Sequence, residues 1–165
     1  MPFHTAAVWN GVHEPMITRS HRIGRVFAAA DRRHGPDVFT PLYLALGARL
    51  HPYRPHTDAD AAVISALAAT GLDSTLVAAL DDPAHDAAVE LAHHASQKAL
   101  GGTGGSPIIT IDGRGFSGPV LIAPPPPRRA VELLHALVTA ATTPGFAALH
   151  RPYQGPPAFT TEDDY

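Results

Sequence analysis

The run Ile108-Ile109-Thr110-Ile111 constrains this chain more than any other segment. Four consecutive β-branched residues fit a pleated strand and crowd the preceding turn of a helix. Behind them, Asp112-Gly113-Arg114-Gly115 has the composition of a hairpin turn, and Phe116 to Val120 reads as the returning strand. Pro124 to Pro127 is a polyproline spacer. Its last residue can open a helix, because the first helical position has no use for an N–H. Arg128 to Ala141 is that helix, with Val131, Leu134, Leu137 and Val138 predicted to face inward. The result is a Pro-headed ββα unit.

Everything between an opening strand and this unit reads as helix. Phe3 to Trp9 is the opening strand, ended by the turn signal Asn10-Gly11. Ile17, Ile23, Val26, Phe27 and Ala30 fall near a 3.6-residue period, which predicts a helix over Ile17–His34 stopped at Gly35-Pro36. Asp37–His51 follows, with Phe39, Leu42, Tyr43, Leu46 and Leu50 as one stripe and Pro52 as its end. Asp58 caps the next helix, with Val63, Ile64 and Leu67 inward and Gly71 as its stop. Asp73 caps a short helix through Leu80. Asp82-Pro83 starts another that runs to about Leu100. Gly101 to Gly105 is a loop, and from Thr142 Pro, Gly and acidic residues predict an irregular tail.

Composition removes several classes of function. There is no cysteine, so no disulfide, thiolate nucleophile or cysteine-held metal can come from this chain. The net charge of −3 gives no electrostatic footing for nucleic acid or an anionic membrane. Arg19, Arg22, Arg25, Arg32 and Arg33 read as a solvated helix face rather than a binding stripe. No run reaches the ~18 apolar residues of a membrane helix. Met1-Pro2-Phe3-His4 is unlike a signal peptide, so a cytoplasmic location is expected. No Gly-x-Ser-x-Gly elbow supports serine hydrolysis. Gly101 to Gly105 lacks the Gly-Lys-Ser/Thr ending of a phosphate loop and leads into a strand rather than out of one.

The segment Gly104-Gly105-Ser106-Pro107-Ile108-Ile109 resembles the DsbA-like thioredoxin superfamily. More narrowly, the chain resembles the actinobacterial mycothiol-dependent nitroreductase group. The matching stretches are Pro41-Leu42-Tyr43 with Leu50-His51, His93-His94-Ala95, and Ser106-Pro107 with Phe116-Ser117-Gly118-Pro119-Val120-Leu121. Gly155-Pro156-Pro157-Ala158-Phe159 fits as well. The resemblance implies an α/β fold, a thioredoxin-like sandwich with an inserted α-helical subdomain. Residues 1–15 and 103–141 form the thioredoxin-like part, 16–102 the insertion and 142–165 the tail. It also implies thiol–disulfide exchange, with mycothiol as thiol co-substrate and a small thiol or disulfide as substrate.

The chain departs from that family at its front, where the first strand and the Cys-x-x-Cys helix are missing. Phe3–Trp9 then lacks its main ladder partner, and Ile108–Ile111 keeps an open edge that invites self-association. The expectation is a native chain that extends upstream of Met1. The alternative is a cysteine-free, non-catalytic binding or assembly module stabilised by another chain.

The resemblance places Ser106, Pro107 and Ile108 on a cis-proline loop beside a substrate groove, against the plainer reading of a loop-to-strand turn. His51, His94 and Trp9 are the other groove candidates. Their plainer readings are solvated or core-edge histidines and a core tryptophan. His93 and His94 are neighbours on a helix, about 100° apart, so joint metal ligation is disfavoured. One is expected exposed and the other packed. His51 and His56 flank a loop without any metal-ligand spacing, and no metal is expected.

Overall fold

The computed structural model describes residues 14–50 and 58–149. The predicted strand Phe3–Trp9, His51, the loop 52–57 and most of the tail lie outside these residues. The chain divides into two compact units, Met1–Ala92 and His93–Tyr165.

In the first unit, α1 spans Glu14–His34, α2 Phe39–Leu50 and α3 Ala59–Thr70, and α4 begins at Asp86. Three 3-10 segments, Pro36–Val38, Ser74–Asp81 and Pro83–His85, join them. Helix α1 buries Val26, Ala29 and Ala30, an i, i+3, i+4 set on one face. Its last turn carries Arg32, Arg33 and His34, which complement the negative end of the helix dipole. Gly24 lets α4 come close, since a Cβ there would lie 3.2 Å from Val89 Cγ1.

The Asp58 carboxylate caps α3 by accepting from the Asp60 N–H at 3.2 Å. At the other end Gly71, with φ +68°, places its N–H on the Ala68 carbonyl, and the Leu72 N–H reaches the Leu67 carbonyl at 3.0 Å. That pair of bonds is a Schellman ending. Asp73 and Asp82 cap in the same way, accepting from the Thr75 and Ala84 N–H groups.

Leu42 and Leu46 of α2, Val63, Ala66 and Leu67 of α3, and Leu76 and Leu80 of the 3-10 segment close the core around Val26. Each fully buried Leu or Val contributes about 1.5–3 kcal/mol. Three expected core positions lie elsewhere. Ile64 is exposed, because the alanines of α3 already supply its buried face. Phe39 and Tyr43 are 51% and 60% exposed, and they stack on one another at 6.0 Å. Phe27 meets Phe39 at 4.9 Å.

Polar bonds fasten α1 to the later segments of the unit. Arg25 grips Asp86 with Nε–Oδ1 at 2.5 Å and Nη2–Oδ2 at 3.0 Å, and donates to the Leu80 carbonyl at 3.0 Å. Arg22 holds Asp81 through two bonds of 2.9 and 3.0 Å, and its Nη2 lies 3.0 Å from Asp60 Oδ1. Arg33 donates to Asp73 at 2.7 Å and to Thr75 Oγ1 at 2.9 Å. Three of the five arginines read as a solvated face are therefore internal ties. Their aspartate partners are 38 to 61 residues away in sequence, beyond the reach of a helix-periodicity argument.

In the second unit the remainder of α4 runs to Leu100, and β1 (Ile108–Ile111) pairs antiparallel with β2 (Arg114–Ser117). Helix α5 spans Pro127–Thr142, opened by Pro127 as expected. The turn is shorter than its composition implied. Asp112 and Gly113, with φ +49° and +76°, are its two central residues, the left-handed pair of a type I′ hairpin. Arg114 and Gly115 are therefore already strand, opposite Ile111 and Thr110. The returning strand ends at Ser117 rather than Val120. Gly118 takes φ +103° and Pro119 has no N–H to continue a ladder. The face of α5 expected inward is largely open, with Val131 55%, Leu134 53% and Val138 39% exposed. Among the described residues the sheet has two strands, too few to cover that helix.

Candidate functional site

The head of β1 is built by short-range constraints. Gln97 of α4 grips the incoming loop with its amide, where Oε1 accepts from the Gly104 N–H at 2.7 Å and Nε2 donates to the Gly104 carbonyl at 3.1 Å. One side chain thus satisfies both polar groups of a loop peptide position, as a neighbouring strand would. The chain then turns through Ser106–Pro107, a cis peptide bond, and enters β1. Gly118–Pro119 is also cis. The two turns face each other, because the Gly118 N–H donates to the Pro107 carbonyl at 2.9 Å and Ile108 bridges to Gly118.

Beneath them β2 passes tightly over the end of α4. A Cβ at Gly115 would lie 2.5 Å from the Ala99 carbonyl carbon and 2.5 Å from the Leu100 nitrogen. Only glycine permits that approach.

Of the residues singled out in the sequence, Ser106 and Pro107 are exposed at this turn and Ile108 is half-buried. His94 lies on α4 and is exposed, as is His93, with ring centroids 6.1 Å apart. The expectation of one packed and one exposed histidine is corrected, since both are exposed and α4 carries no buried residue along its length. No hydrogen bond or ion pair joins His94 to the turn among the described residues. His51 and Trp9 lie outside them.

Sequence reading missed Gln97, Gly115 and the second cis turn. A glycine inside a strand is a known sign of close backbone approach, so Gly115 was findable. Gln97 gave no signal, since an amide on a helix has many possible uses.

This arrangement offers an exposed backbone turn beside a strand whose outer edge has no partner among the described residues. It can hold an extended ligand by main-chain hydrogen bonds. It supplies no thiol nucleophile, since the 165 residues contain no cysteine. Among the described residues no group of three or more His, Asp or Glu is placed to hold a metal ion. No helix there is long and apolar enough to cross a membrane.

A family model matches residues 10–151, and its description reads Rv2466c-like, mycothiol-dependent nitroreductase Rv2466c. The match takes in both the helical unit and the hairpin with its following helix.

Proposed function

This chain belongs to the Rv2466c-like family of mycothiol-dependent nitroreductases, and from that membership we propose that it forms the ligand-holding part of a DsbA-like, mycothiol-linked oxidoreductase. The family supports mycothiol as the thiol partner. The observation that carries the finer reading is the hairpin head, where Ser106 and Pro107 are exposed and the Gly118 N–H fixes the Pro107 carbonyl at 2.9 Å. There the backbone of Ser106 and Ile108 pairs with an extended thiol or disulfide. His94, His51 and Trp9 belong to the same proposal as flanking groove residues.

The chemistry balances without a protein thiol if two molecules of mycothiol take part. Their sulfurs join as a disulfide, giving up two electrons and two protons. A nitro group accepts these and loses one oxygen as water, leaving a nitroso group. A cytoplasmic location fits, because thiol pools are kept reduced there.

The absence of cysteine favours a second reading, a non-catalytic module of the same fold that binds ligand, or another copy, along the outer edge of β1.

Titrating mycothiol, and separately its disulfide, into the isotopically labelled chain tests both. The expected result is amide shifts confined to Ser106, Ile108, Gly118 and their neighbours. Shifts elsewhere, or none, would overturn the ligand-holding role. Reduction of a nitroaromatic by chain plus mycothiol, above mycothiol alone, selects the catalytic reading over the module.

A further inference from the structure

Away from the hairpin, the first unit has an open groove of about 350 Å³ between α1 and the 3-10 segment Ser74–Asp81. Its walls include Arg32, Arg33, Thr75, Asp82 and His85. His85 is the unusual member, only 5% exposed and the one polar residue that is buried among the described residues. Neither of its ring nitrogens has a hydrogen-bond partner among those residues. Asp82 Oδ2 stands 3.7 Å from Nε2, too far for a bond. Neither ring nitrogen is walled off from solvent, so the imidazole opens onto the groove with an N–H free for a ligand.

The neighbouring arginines suit an anionic one. Arg33 is balanced by Asp73 at 2.7 Å through Nη1, which leaves the rest of its guanidinium uncommitted. Arg32 has no ion pair or hydrogen bond among the described residues. The groove's carboxylate, Asp82, uses Oδ1 to accept from the Ala84 N–H at 2.9 Å and keeps Oδ2 on the His85 side. Asp82 faces the His85 ring at 3.7 Å and Asp73 balances Arg33, which leaves Arg32 as the arginine of the groove without an acidic partner among the described residues.

We propose that this groove binds a small oxyanion, a carboxylate or phosphate group, through Arg32, the uncommitted edge of Arg33 and a ring N–H of His85. Guanidinium groups bind such oxygens in pairs with planar geometry, and a buried imidazole donor fixes the anion's position. The site is separate from the hairpin and independent of the redox reading.

The test is a titration of the isotopically labelled 165-residue chain with inorganic phosphate, and in parallel with acetate, at constant ionic strength against chloride. Saturable shifts are expected at the His85 ring and the Arg32 side chain. Arg32→Ala should weaken binding about tenfold, from the loss of a charged hydrogen bond. Arg19→Ala, on the same helix but outside the groove lining, should leave binding unchanged. His85→Gln, which keeps an N–H donor, should bind better than His85→Leu. Should both His85 variants fail to fold, the exposed Arg32 position still decides the matter. Saturation by phosphate alone, acetate alone or both identifies the oxyanion and supports the site. No saturable shift with either probe, or Arg32→Ala titrating like the parent, overturns it.

Discussion

Single residues set how closely backbone segments approach here. Gly115 is the sharpest case, because the atoms in the way of a side chain are backbone atoms of Ala99 and Leu100 that cannot swing aside. Gly115→Ala is expected to cost about 1–3 kcal/mol, the range for forced overpacking. Gly102→Ala is the control: nothing lies within 4 Å of its would-be Cβ, and the change should be neutral or stabilising by up to about 1 kcal/mol. Denaturant unfolding of both variants checks the pair. Equal midpoints would mean that β2 does not press on α4. At this scale the sequence was legible for caps and turns. Asp58, Asp73 and Asp82 all accept the bonds that their positions implied, and Gly71 ends α3 in a left-handed conformation. The size of the hairpin turn was not legible. Asp112-Gly113 and Gly115 are both turn-like in composition, and only the pairing of Ile111 with Arg114 shows that the turn takes two residues.

The elements differ in how far their apolar faces are used. Leu67 of α3 is fully buried in the core, whereas Leu134 of α5 is 53% exposed. Leu67→Ala should therefore cost about 2–5 kcal/mol, and Leu134→Gln should fall within about 0.5 kcal/mol of the parent. Thermal or denaturant unfolding of the two variants gives the comparison. A large loss from Leu134→Gln would mean that the α5 face is covered in solution. Helical periodicity placed all five α-helices to within a few residues, because that period depends on local geometry. It said less about which side is covered, since burial depends on partners distant in sequence. Ile64 and Tyr43 follow the period as well as Leu67 and Leu42 do, yet only the leucines find a facing element. The candidate site was half legible. Ser106-Pro107 marked its position, but the Gln97 grip that holds the loop joins a helix to a glycine with no distinguishing motif.

At the scale of the molecule, acid response follows from the arginine ties. The Arg25 guanidinium holds the Asp86 carboxyl below the usual carboxylate range, and Arg22 does the same to Asp81. For Asp73 the leading cause is the backbone N–H of Thr75, with Arg33 adding to it. In each case the folded-state value is depressed below the unfolded one. The stabilisation is thus complete above the ordinary value of about 4 and is lost as pH falls through the depressed values. The melting temperature is expected to drop progressively below about pH 4. Arg25→Met should flatten that decline, and an acid limb unchanged in the variant would remove Asp86 from the account. A slower change acts through Gln97. Glutamine side chains lose ammonia over time, and here the product would place a carboxylate oxygen, instead of an N–H, opposite the Gly104 carbonyl now 3.1 Å from Nε2. Two acceptors facing each other repel, so deamidation at Gln97 is expected to loosen the root of the hairpin. Gln97→Glu reproduces that product, and faster amide exchange at Gly104 than in the parent would register the same loosening.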